Sequence, residues 1–313
     1  MQNSKYSKKV LFVGMPDMAI VCFQKLYSEG INIVGVVPPP KTDPAYEYFL
    51  SFLSNYSVNV IEYDKKMNEP DFIDRVRSLK ADIAVVCSYN RLFPPELLRS
   101  TKDGFINCHP SLLPDYRGAN PYSAVIINNE KYTGATLHFM DETFDTGDII
   151  VQKKFELTGK ETMGVLFNLF NYIFAEELVK VLTVYEQTGT LPRFKQKETS
   201  CKFAPQIPLD HVQNRIDWEK SAFEIDCFVR GLNPFIIAEA YFRNEHLRIM
   251  STHFDKKQSN KPAGYVCDIK KGLGVATPCG TLYIDVLQYG SYFVTTGLEL
   301  VERLKIKQGE FFQ

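Results

Sequence analysis

The sequence predicts an α/β protein, in which a doubly wound, mainly parallel sheet is followed by a smaller β-barrel domain. Between residues 9 and 157, short apolar β-branched runs alternate with segments of helical periodicity, which is the pattern of a parallel sheet wound with helices. After a proline-containing stretch, the pattern changes to one helix and about five short strand-like runs, which is typical of a small barrel. A chain of 313 residues is long enough for both domains.

The first domain is predicted over residues 1–189. Pro16 and Asp17 begin a helix after the first strand and Gly30 ends it, so the first three elements form a βαβ unit. A long amphipathic helix over residues 163–187 closes the domain. The predicted strands cover residues 10–14, 31–37, 58–63, 83–88, 104–109, 135–140 and 149–155.

The second domain is predicted over residues 210–313, after a linker over residues 190–209. The linker mixes Pro192, Pro205 and Pro208 with polar residues, a composition that favours an irregular connection. One helix is predicted over residues 217–231. Five strands follow it, over residues 238–243, 247–253, 263–269, 272–277 and 281–287.

Composition and charge exclude several classes of protein. Hydrophobic residues make up 45% of the chain and charged residues 23%, which excludes a disordered or fibrous protein. A net charge of −1 without a basic run argues against a dedicated binder of nucleic acids or membrane surfaces. The seven cysteines form no C-x-x-C pair, so neither a disulfide framework nor a zinc ribbon is expected. We therefore expect a reduced, cytoplasmic chain without a metal, a leader peptide or a membrane span.

Polar side chains follow the apolar run that ends at residue 109. Because side chains alternate along a strand, Asn107 and His109 leave one face of the sheet and Cys108 leaves the other. Ligands bind at the carboxyl ends of strands in open α/β sheets, and Asp145 lies in a turn that reaches the same edge. An imidazole can accept a proton from an amine, an amide can donate to an oxyanion, and a carboxylate can hold the imidazole and stabilise its cation. The set fits acyl transfer to an amine.

Structural roles are weighed beside this interpretation. A single histidine at the end of a strand often has only a structural role, in which its ring is hydrogen-bonded to the protein. Asn107 alone would fit a turn. Cys108 is expected to be a buried core thiol rather than a nucleophile. His138 fits either a pocket or an ordinary sheet position, and the carboxylates Asp141 and Glu142 fit a solvated turn.

The segment over residues 107–118, Asn-Cys-His-Pro-Ser-Leu-Leu-Pro-Asp-Tyr-Arg-Gly, resembles the signature of the folate-dependent formyltransferases. The resemblance includes Asp145, which follows His109 by 36 residues inside an Asp-Thr-Gly sequence. It implies a Rossmann-like catalytic domain, N10-formyltetrahydrofolate as the formyl donor, and Asn107, His109 and Asp145 as catalytic residues. It also places the folate between the loop over residues 88–93 and the loop over residues 141–145, with Tyr89, Arg91, Leu92, Phe93 and Asp141 as cofactor-binding residues. Residues 216–222 and 229–234 resemble the appended OB-like barrel domain of the tRNA and sugar enzymes.

Within this family the sequence favours a nucleotide-linked 4-amino-4-deoxysugar as the acceptor. The tRNA enzymes carry a basic insertion after the second strand, whereas residues 38–44 here run directly into a helix. Residues 210–313 carry 13 Lys and Arg against 13 Asp and Glu, too few positive charges for a domain that grips tRNA. We therefore expect a sugar-nucleotide partner, with no nucleic acid and no membrane, and a homodimer remains an open alternative.

The residues expected to hold the sugar nucleotide are Met15, Asp17 and Arg117, because a helix N-terminus and a guanidinium are the anion donors on that side. Arg117 fits a structural bridge to a carboxylate equally well. Methionyl-tRNA formyl transfer is the alternative function, and formyltetrahydrofolate hydrolysis is a third. Such hydrolases usually carry an N-terminal regulatory domain, and only about nine residues precede the first predicted strand here.

Overall fold

The computed structural model describes residues 4–89, 91–197, 201–208, 213–257, 260–291 and 293–313. They divide into two compact units. The first contains Met1–Pro121, Thr133–Phe155 and Phe167–Ala204, and the second contains Tyr122–Tyr132, Glu156–Leu166 and Pro205–Gln313. The domain limits at residues 189 and 209 stay predictions, and the second of them falls on residues outside those described.

The elements of the first two thirds of the chain alternate between strands and helices, as the periodicity predicts. In chain order they are β1 (Lys9–Gly14), α1 (Met18–Ser28), β2 (Asn32–Val37), α2 (Tyr46–Leu53), α3 (Pro70–Ser78), β3 (Ile83–Cys87), α4 (Pro95–Leu98), β4 (Phe105–His109), β5 (Arg117–Gly118), α5 (Pro121–Ile127), β6 (Tyr132–Phe139), β7 (Ile149–Glu156), α6 (Met163–Thr188) and β8 (Phe203–Ala204).

Six of these strands form one mixed sheet in the order β2-β1-β3-β4-β6-β7. The pairs β1·β2, β1·β3 and β3·β4 are parallel, and β4·β6 is antiparallel. All five side chains of β3 are buried, as expected for a strand in a sheet covered on both faces. The mainly parallel, Rossmann-like sheet predicted from the sequence is therefore confirmed, and β4 carries its carboxyl end to the centre of one edge.

The strand predicted over residues 58–63 is wrong. The segment makes an isolated bridge to β2, in which the Val36 N–H donates to the Asn59 carbonyl (2.8 Å) and the Ile61 N–H donates to the Val36 carbonyl (2.8 Å). Ile61 and Tyr63 are buried, so the alternating pattern is genuine. The segment makes too few ladder hydrogen bonds to continue as a strand.

The turn from β1 into α1 is tight because Gly14 lacks a side chain. A Cβ at Gly14 would lie 2.4 Å from the Cβ of Ala19, so the helix packs directly against the end of the strand. The long helix predicted over residues 163–187 is present as α6. Over the described part of the chain no helix, α6 included, is long and apolar enough to cross a membrane.

The second unit contains a curved antiparallel sheet. Its elements are α7 (Ala222–Leu232), β9 (Ala238–Phe242), β10 (Glu245–Asp255), β11 (Val266–Asp268), β12 (Leu273–Ala276), β13 (Thr281–Tyr289), β14 (Phe293–Thr296) and α8 (Gly297–Leu304). The strand order is β11-β12-β13-β10-β9, and β14 pairs with β13. The Val266 N–H donates to the Glu310 carbonyl, and Tyr241 exchanges two hydrogen bonds with Gln313. The chain end therefore bridges the two edges of this half-barrel.

The five predicted strands of this unit are confirmed, with shorter or longer ends. The predicted helix begins later than expected because Ser221 and Glu224 form a capping box, which fixes the first helical residue as Ala222. The sequence analysis missed β14 and α8. A short edge strand with alternating exposure carries little apolar periodicity of its own.

Candidate active site

The structure brings Asn107, His109 and Asp145 together at the carboxyl end of β4. Asn107 and His109 project from the same face of the strand, opposite His138 and Thr136 of β6. Asp145 lies in the loop between β6 and β7, where its backbone has a φ of 58°. Few residues other than glycine adopt this left-handed conformation, and such residues concentrate at functional sites. The Asp145 carboxylate lies 3.3 Å from Nδ2 of Asn107 and 3.4 Å from Nδ1 of His109.

His109 is buried, and its two ring nitrogens have different partners. Nε2 lies 2.8 Å from the Tyr116 carbonyl oxygen, and Nδ1 lies 3.4 Å from Oδ2 of Asp145. Because a carbonyl oxygen only accepts, Nε2 carries the proton, and in the neutral ring Nδ1 is left with its lone pair. Burial lowers the pKa of His109 below its ordinary value of 6.5, against the opposing effect of the Asp145 carboxylate. The ring is therefore a neutral base near pH 7, with Nδ1 as its basic atom.

Asp145 is ionised in the folded protein. Burial on its own would raise the pKa of this carboxyl group, but the imidazoles of His138 and His109 and the N–H of Gly118 outweigh burial and lower it to about 2. The Gly118 N–H donates to Oδ2 (3.0 Å), and Nδ2 of Asn107 donates to Oδ1 (3.3 Å). The carboxylate is thus held from two sides with a fixed negative charge beside the basic nitrogen of His109.

Two further residues fix the loop that carries Asp145. Gly118 has a φ of 116°, and a Cβ there would lie 2.4 Å from the carbonyl oxygen of Ala204, so only glycine brings its N–H to Asp145 without strain. Gln196 donates through Nε2 to the carbonyls of Asp145 and Gly147, both at 2.8 Å. Its Oε1 accepts from Nη2 of Arg117 at 2.6 Å. The sequence analysis missed Gln196, because it lies in the predicted linker and no motif contains it.

The orienting partner of His109 was also missed. The sequence assigns this role to Asp145, whereas the structure shows the Tyr116 carbonyl on the far nitrogen. Tyr116 has a φ of 61°, and its N–H donates to the Lys202 carbonyl (2.7 Å). The position of a backbone carbonyl has no signature in the amino-acid sequence.

The arrangement combines a neutral base, a fixed carboxylate and an amide donor within one partly buried cluster. A base facing a carboxylate can accept a proton and have the resulting imidazolium stabilised at once. An amide N–H at the same point can donate to an oxygen on which negative charge develops. This chemistry suits attack of an amine on a carbonyl carbon. Cys108 is buried with its Sγ 3.8 Å from that of Cys87, and burial raises its pKa, so it is the core thiol that the alternation predicts.

The predicted cofactor residues occupy two loops. Tyr89 contacts the hydroxyl of Tyr63, and Arg91 donates to the Lys65 carbonyl (3.0 Å). Leu92 is 52% exposed, whereas Phe93 is 3% exposed and packs on Phe105. Leu92 is thus the apolar side chain in this loop that is free to cover a ligand. Phe93 supports the loop from the core.

The second loop is ordered by Asp141. Its carboxylate accepts from the hydroxyls of Thr143 (3.0 Å) and Thr146 (2.7 Å) and from the Thr143 N–H (3.0 Å). Asp141 therefore closes its own turn, and the structure does not bring it into contact with Asn107, His109 or Asp145.

Of the predicted acceptor residues, only Arg117 contacts the cluster, through Gln196. Met15 is half-buried, and its N–H donates to the Cys87 carbonyl (3.1 Å). Asp17 is exposed at the start of α1 and makes no side-chain capping bond. Among the described residues, no group of three or more His, Cys, Asp or Glu side chains is arranged to hold a metal ion.

Comparison with known families matches both units of the chain. Residues 9–182 match the model described as formyl transferase, and residues 208–298 match the model described as formyl transferase, C-terminal domain. The methionyl-tRNA formyltransferase of Clostridioides difficile is 35% identical over 90% of this chain and 92% of its own length. That of Acetivibrio thermocellus is 31% identical over 96% of this chain and 98% of its own length.

Solved structures share the fold at lower identity. An N-formyltransferase from Helicobacter canadensis, in complex with folinic acid and dTDP-3-aminofucose, has a TM-score of 0.67 at 21% identity and covers 88% of this chain and 99% of its own. HypX from Aquifex aeolicus, in complex with tetrahydrofolic acid, has a TM-score of 0.62 at 17% identity over 97% of this chain and 50% of its own. At these identities the likeness concerns the fold.

The expectation of a sugar-nucleotide acceptor, with no nucleic-acid partner, is wrong. The relatives at 30 to 35% identity over most of the chain are methionyl-tRNA formyltransferases, whereas the sugar enzymes are matched at 21% identity or less. The charge count covered residues 210–313 alone, and a count of charges does not show where on the surface they lie. The basic residues beside the site, Arg193, Lys195, Lys197 and Lys202, precede that range.

Proposed function

Because the chain belongs to the formyl transferase family, we propose that this enzyme transfers the formyl group of N10-formyltetrahydrofolate to the amino group of methionyl-tRNA. The observation that carries the choice of acceptor is the identity of 35% over 90% of the chain with a methionyl-tRNA formyltransferase. The partly buried cluster of Asn107, His109 and Asp145 supports direct transfer without a covalent enzyme intermediate. We place this reaction in the cytoplasm, as the cysteine content predicts.

In the proposed mechanism, the amine nitrogen attacks the formyl carbon and forms a tetrahedral intermediate. His109 accepts the amine proton at Nδ1, and the carboxylate of Asp145, 3.4 Å away, stabilises the imidazolium. The bond between the formyl carbon and N10 then breaks, and the proton passes from His109 to the departing nitrogen. Proton transfer and bond breaking leave the enzyme unchanged.

Asn107 acts in this mechanism as the oxyanion donor. In the structure its second N–H points at Oδ1 of Asp145 over 3.3 Å, which is long for a hydrogen bond to a carboxylate. The formyl oxygen takes the place of this acceptor as negative charge develops on it. At the same stage Asp145 stabilises the His109 imidazolium instead of accepting from Asn107. The exchange of partners is therefore favourable both at the oxyanion and at the imidazolium.

The formyl donor is a co-substrate, and we propose that it lies between the loop beginning at Tyr89 and the loop over residues 141–147. The exposed side chain of Leu92 supports this position, because an uncovered apolar residue beside the reacting groups suits the face of a pterin ring. The structural relatives crystallised with folinic acid and tetrahydrofolic acid support a folate as the ligand class. No step of the mechanism requires a metal.

The segment that supplies Gln196 supports an RNA acceptor. Arg193, Lys195, Lys197 and Lys202 are all exposed on this segment, as are the aromatic rings of Phe194 (61%) and Phe203 (64%). The segment contacts the site directly, since Phe203 pairs with Arg117 and Gln196 binds the Asp145 loop. Positive charges neutralise phosphates, and exposed aromatic rings stack on unpaired bases such as those at the end of an acceptor stem.

The test of this function is an acceptor panel with N10-formyltetrahydrofolate. We expect formylation of methionyl-tRNA, with a kcat/KM that falls as the salt concentration rises, because salt cations compete with the protein for the phosphates. dTDP-linked 3-amino and 4-amino sugars serve as comparison acceptors. A higher kcat/KM for any of these sugars than for methionyl-tRNA would overturn the proposal.

A further inference from the structure

His138 lies directly opposite Asn107 in the antiparallel pair β4·β6. It is 1% exposed, and both of its ring nitrogens are engaged. Nδ1 lies 2.8 Å from the Phe139 carbonyl oxygen. Nε2 lies 3.1 Å from Nδ2 of Asn107 and 3.5 Å from Oδ1 of Asp145. Directly opposed residues of an antiparallel pair have side chains close enough to interact, so the backbone ladder itself holds His138 against Asn107.

These contacts fix the tautomer of His138. The Phe139 carbonyl only accepts, so Nδ1 carries the proton of the neutral ring, and Nε2 is left as an acceptor. The Asn107 amide therefore donates one N–H to Nε2 of His138 and the other towards Oδ1 of Asp145. The amide nitrogen lies between two acceptors.

The same contacts allow the Asn107 amide only one orientation. Rotation of the amide by half a turn would place its oxygen 3.1 Å from the lone pair of Nε2 and 3.3 Å from a carboxylate oxygen. Both contacts would be repulsive, and two buried acceptors would lose their donor. Asp145 alone does not keep the Asn107 amide in this orientation, because in the proposed mechanism its carboxylate interacts with the His109 imidazolium during the reaction.

We propose that His138 is a positioning residue that fixes the Asn107 amide with one N–H directed at the reacting carbonyl oxygen. The inference rests on the proposed function of the site. His138 itself exchanges no proton with the substrate, since both of its nitrogens are occupied by protein groups. His138 keeps the Asn107 amide in one orientation while the second N–H changes its acceptor from Asp145 to the developing oxyanion. The amide therefore does not have to rotate as the charge develops.

A double-mutant cycle with Asn107 separates this role from a structural one. We expect His138→Leu to lower kcat for formylation about tenfold in the wild-type background and less than about twofold in the Asn107→Ala background. KM for both substrates stays within about twofold of wild type. His138→Gln restores most of the kcat, because its side-chain oxygen replaces the Nε2 acceptor. Equal decreases in both backgrounds, or no rescue by glutamine, would overturn the inference.

A neighbouring substitution controls for an effect on folding. Leu137 is buried in the same strand and points to the opposite face, so Leu137→Ala lowers stability by leaving a cavity without touching Asn107. We expect Leu137→Ala to lower the melting temperature at unchanged kcat. A fall in kcat equal to that of His138→Leu would show that destabilisation, rather than amide position, causes the decrease.

A second readout needs no acceptor and therefore separates this inference from the proposed function. Nitrogen-15 NMR of the labelled enzyme should show His138 as the Nδ1–H tautomer, and His138→Leu should shift the side-chain amide resonances of Asn107. An Nε2–H tautomer, or unshifted amide resonances, would refute the role of His138 even if the enzyme formylates methionyl-tRNA. If the spectra are as expected but the enzyme does not formylate methionyl-tRNA, the proposed function is refuted. The placement of the Asn107 amide by His138 is then still supported.

Discussion

At the scale of single residues, the chemistry depends on which nitrogen of His109 is free. In a serine protease triad the carboxylate holds the imidazole nitrogen that faces away from the substrate. Here the Tyr116 carbonyl holds that nitrogen, and Asp145 faces the basic one. In the proposed mechanism the carboxylate therefore acts on the proton that is being transferred. Strand alternation and motif spacing predicted Asn107, His109 and Asp145, but a carbonyl placed by a left-handed backbone at Tyr116 has no sequence pattern.

This arrangement predicts the protonation behaviour of His109. Because burial lowers its pKa, an NMR titration should show a midpoint below 6.5 and the Nε2–H tautomer above it. NMR is preferable to a pH-rate profile, since the amino group of the acceptor titrates at about 7.7 to 8.0 in model compounds. His109→Gln removes the signal and so assigns it. A midpoint above 6.5 or an Nδ1–H tautomer would contradict the assignment of Nδ1 as the base.

The same shift has a consequence for stability. The unfolded chain takes up a proton on this histidine as the pH falls through 6.5, whereas the folded protein resists protonation. The stability that the neutral ring contributes above pH 6.5 therefore decreases progressively below it. Asp145, with a pKa of about 2, remains ionised throughout this range.

At the scale of elements, hydrophobic periodicity predicted the helices and strands that bury a continuous apolar face. β4 and α6 were predicted nearly to the residue, because each has a long apolar pattern and a clear end. Residues 58–63 have the alternation of a strand and make only a single bridge, since hydrogen-bond pairing depends on a neighbouring strand that the segment itself does not specify. The short pair β5·β8, which brings Phe203 to Arg117, was missed for the same reason.

The anchoring of the Asp145 loop at Gly118 leads to a prediction with a matched control. Gly118 and Gly159 both have positive φ, but a Cβ at Gly159 meets nothing within 4 Å. We expect Gly159→Ala to lower the free energy of unfolding by about 1 to 2 kcal/mol, because alanine is strained in a left-handed backbone conformation. The kcat of this variant should equal that of the wild type. Gly118→Ala should lower the free energy of unfolding further, because its Cβ would displace the Ala204 carbonyl. It should also lower kcat, because the residue 118 N–H that donates to Asp145 would move. Chemical denaturation and steady-state rates measure both effects. Equal effects of the two substitutions would argue against this anchor.

At the scale of the whole molecule, composition did not reveal the acceptor. Charges along the chain nearly balance, and the count over residues 210–313 is neutral. Binding of a polyanion depends on where positive charge is placed, and a charge count over one domain does not show this. The fold class was predictable because it depends on averages over many residues. The acceptor was not, because average composition does not show where individual charges lie.

The basic segment can be tested directly. Lys195→Ala combined with Lys197→Ala should lower kcat/KM for methionyl-tRNA and reduce the slope of log(kcat/KM) against log[salt] by about 1 for each phosphate that the variant no longer neutralises. Lys5→Ala combined with Lys102→Ala removes the same charge at the opposite edge of the sheet, near the starts of its strands, and should change neither quantity. Indistinguishable salt slopes for the two double variants would remove this segment from the acceptor site.

The central claim is that Asn107, His109 and Asp145 together carry out formyl transfer to methionyl-tRNA. It is tested most directly by single-turnover rates of formyl transfer with Asn107→Ala, His109→Ala and Asp145→Ala. Glu29→Gln, at the end of α1 and away from the site, is the control. Removal of an oxyanion donor or a general base should lower the rate of the folded variants on the order of 10² to 10⁴, with affinity for methionyl-tRNA nearly unchanged. The combined variants should show a smaller decrease than the product of the single effects, because the three groups act as a unit. Variants that melt earlier but transfer formyl at nearly the wild-type rate when folded would contradict the account.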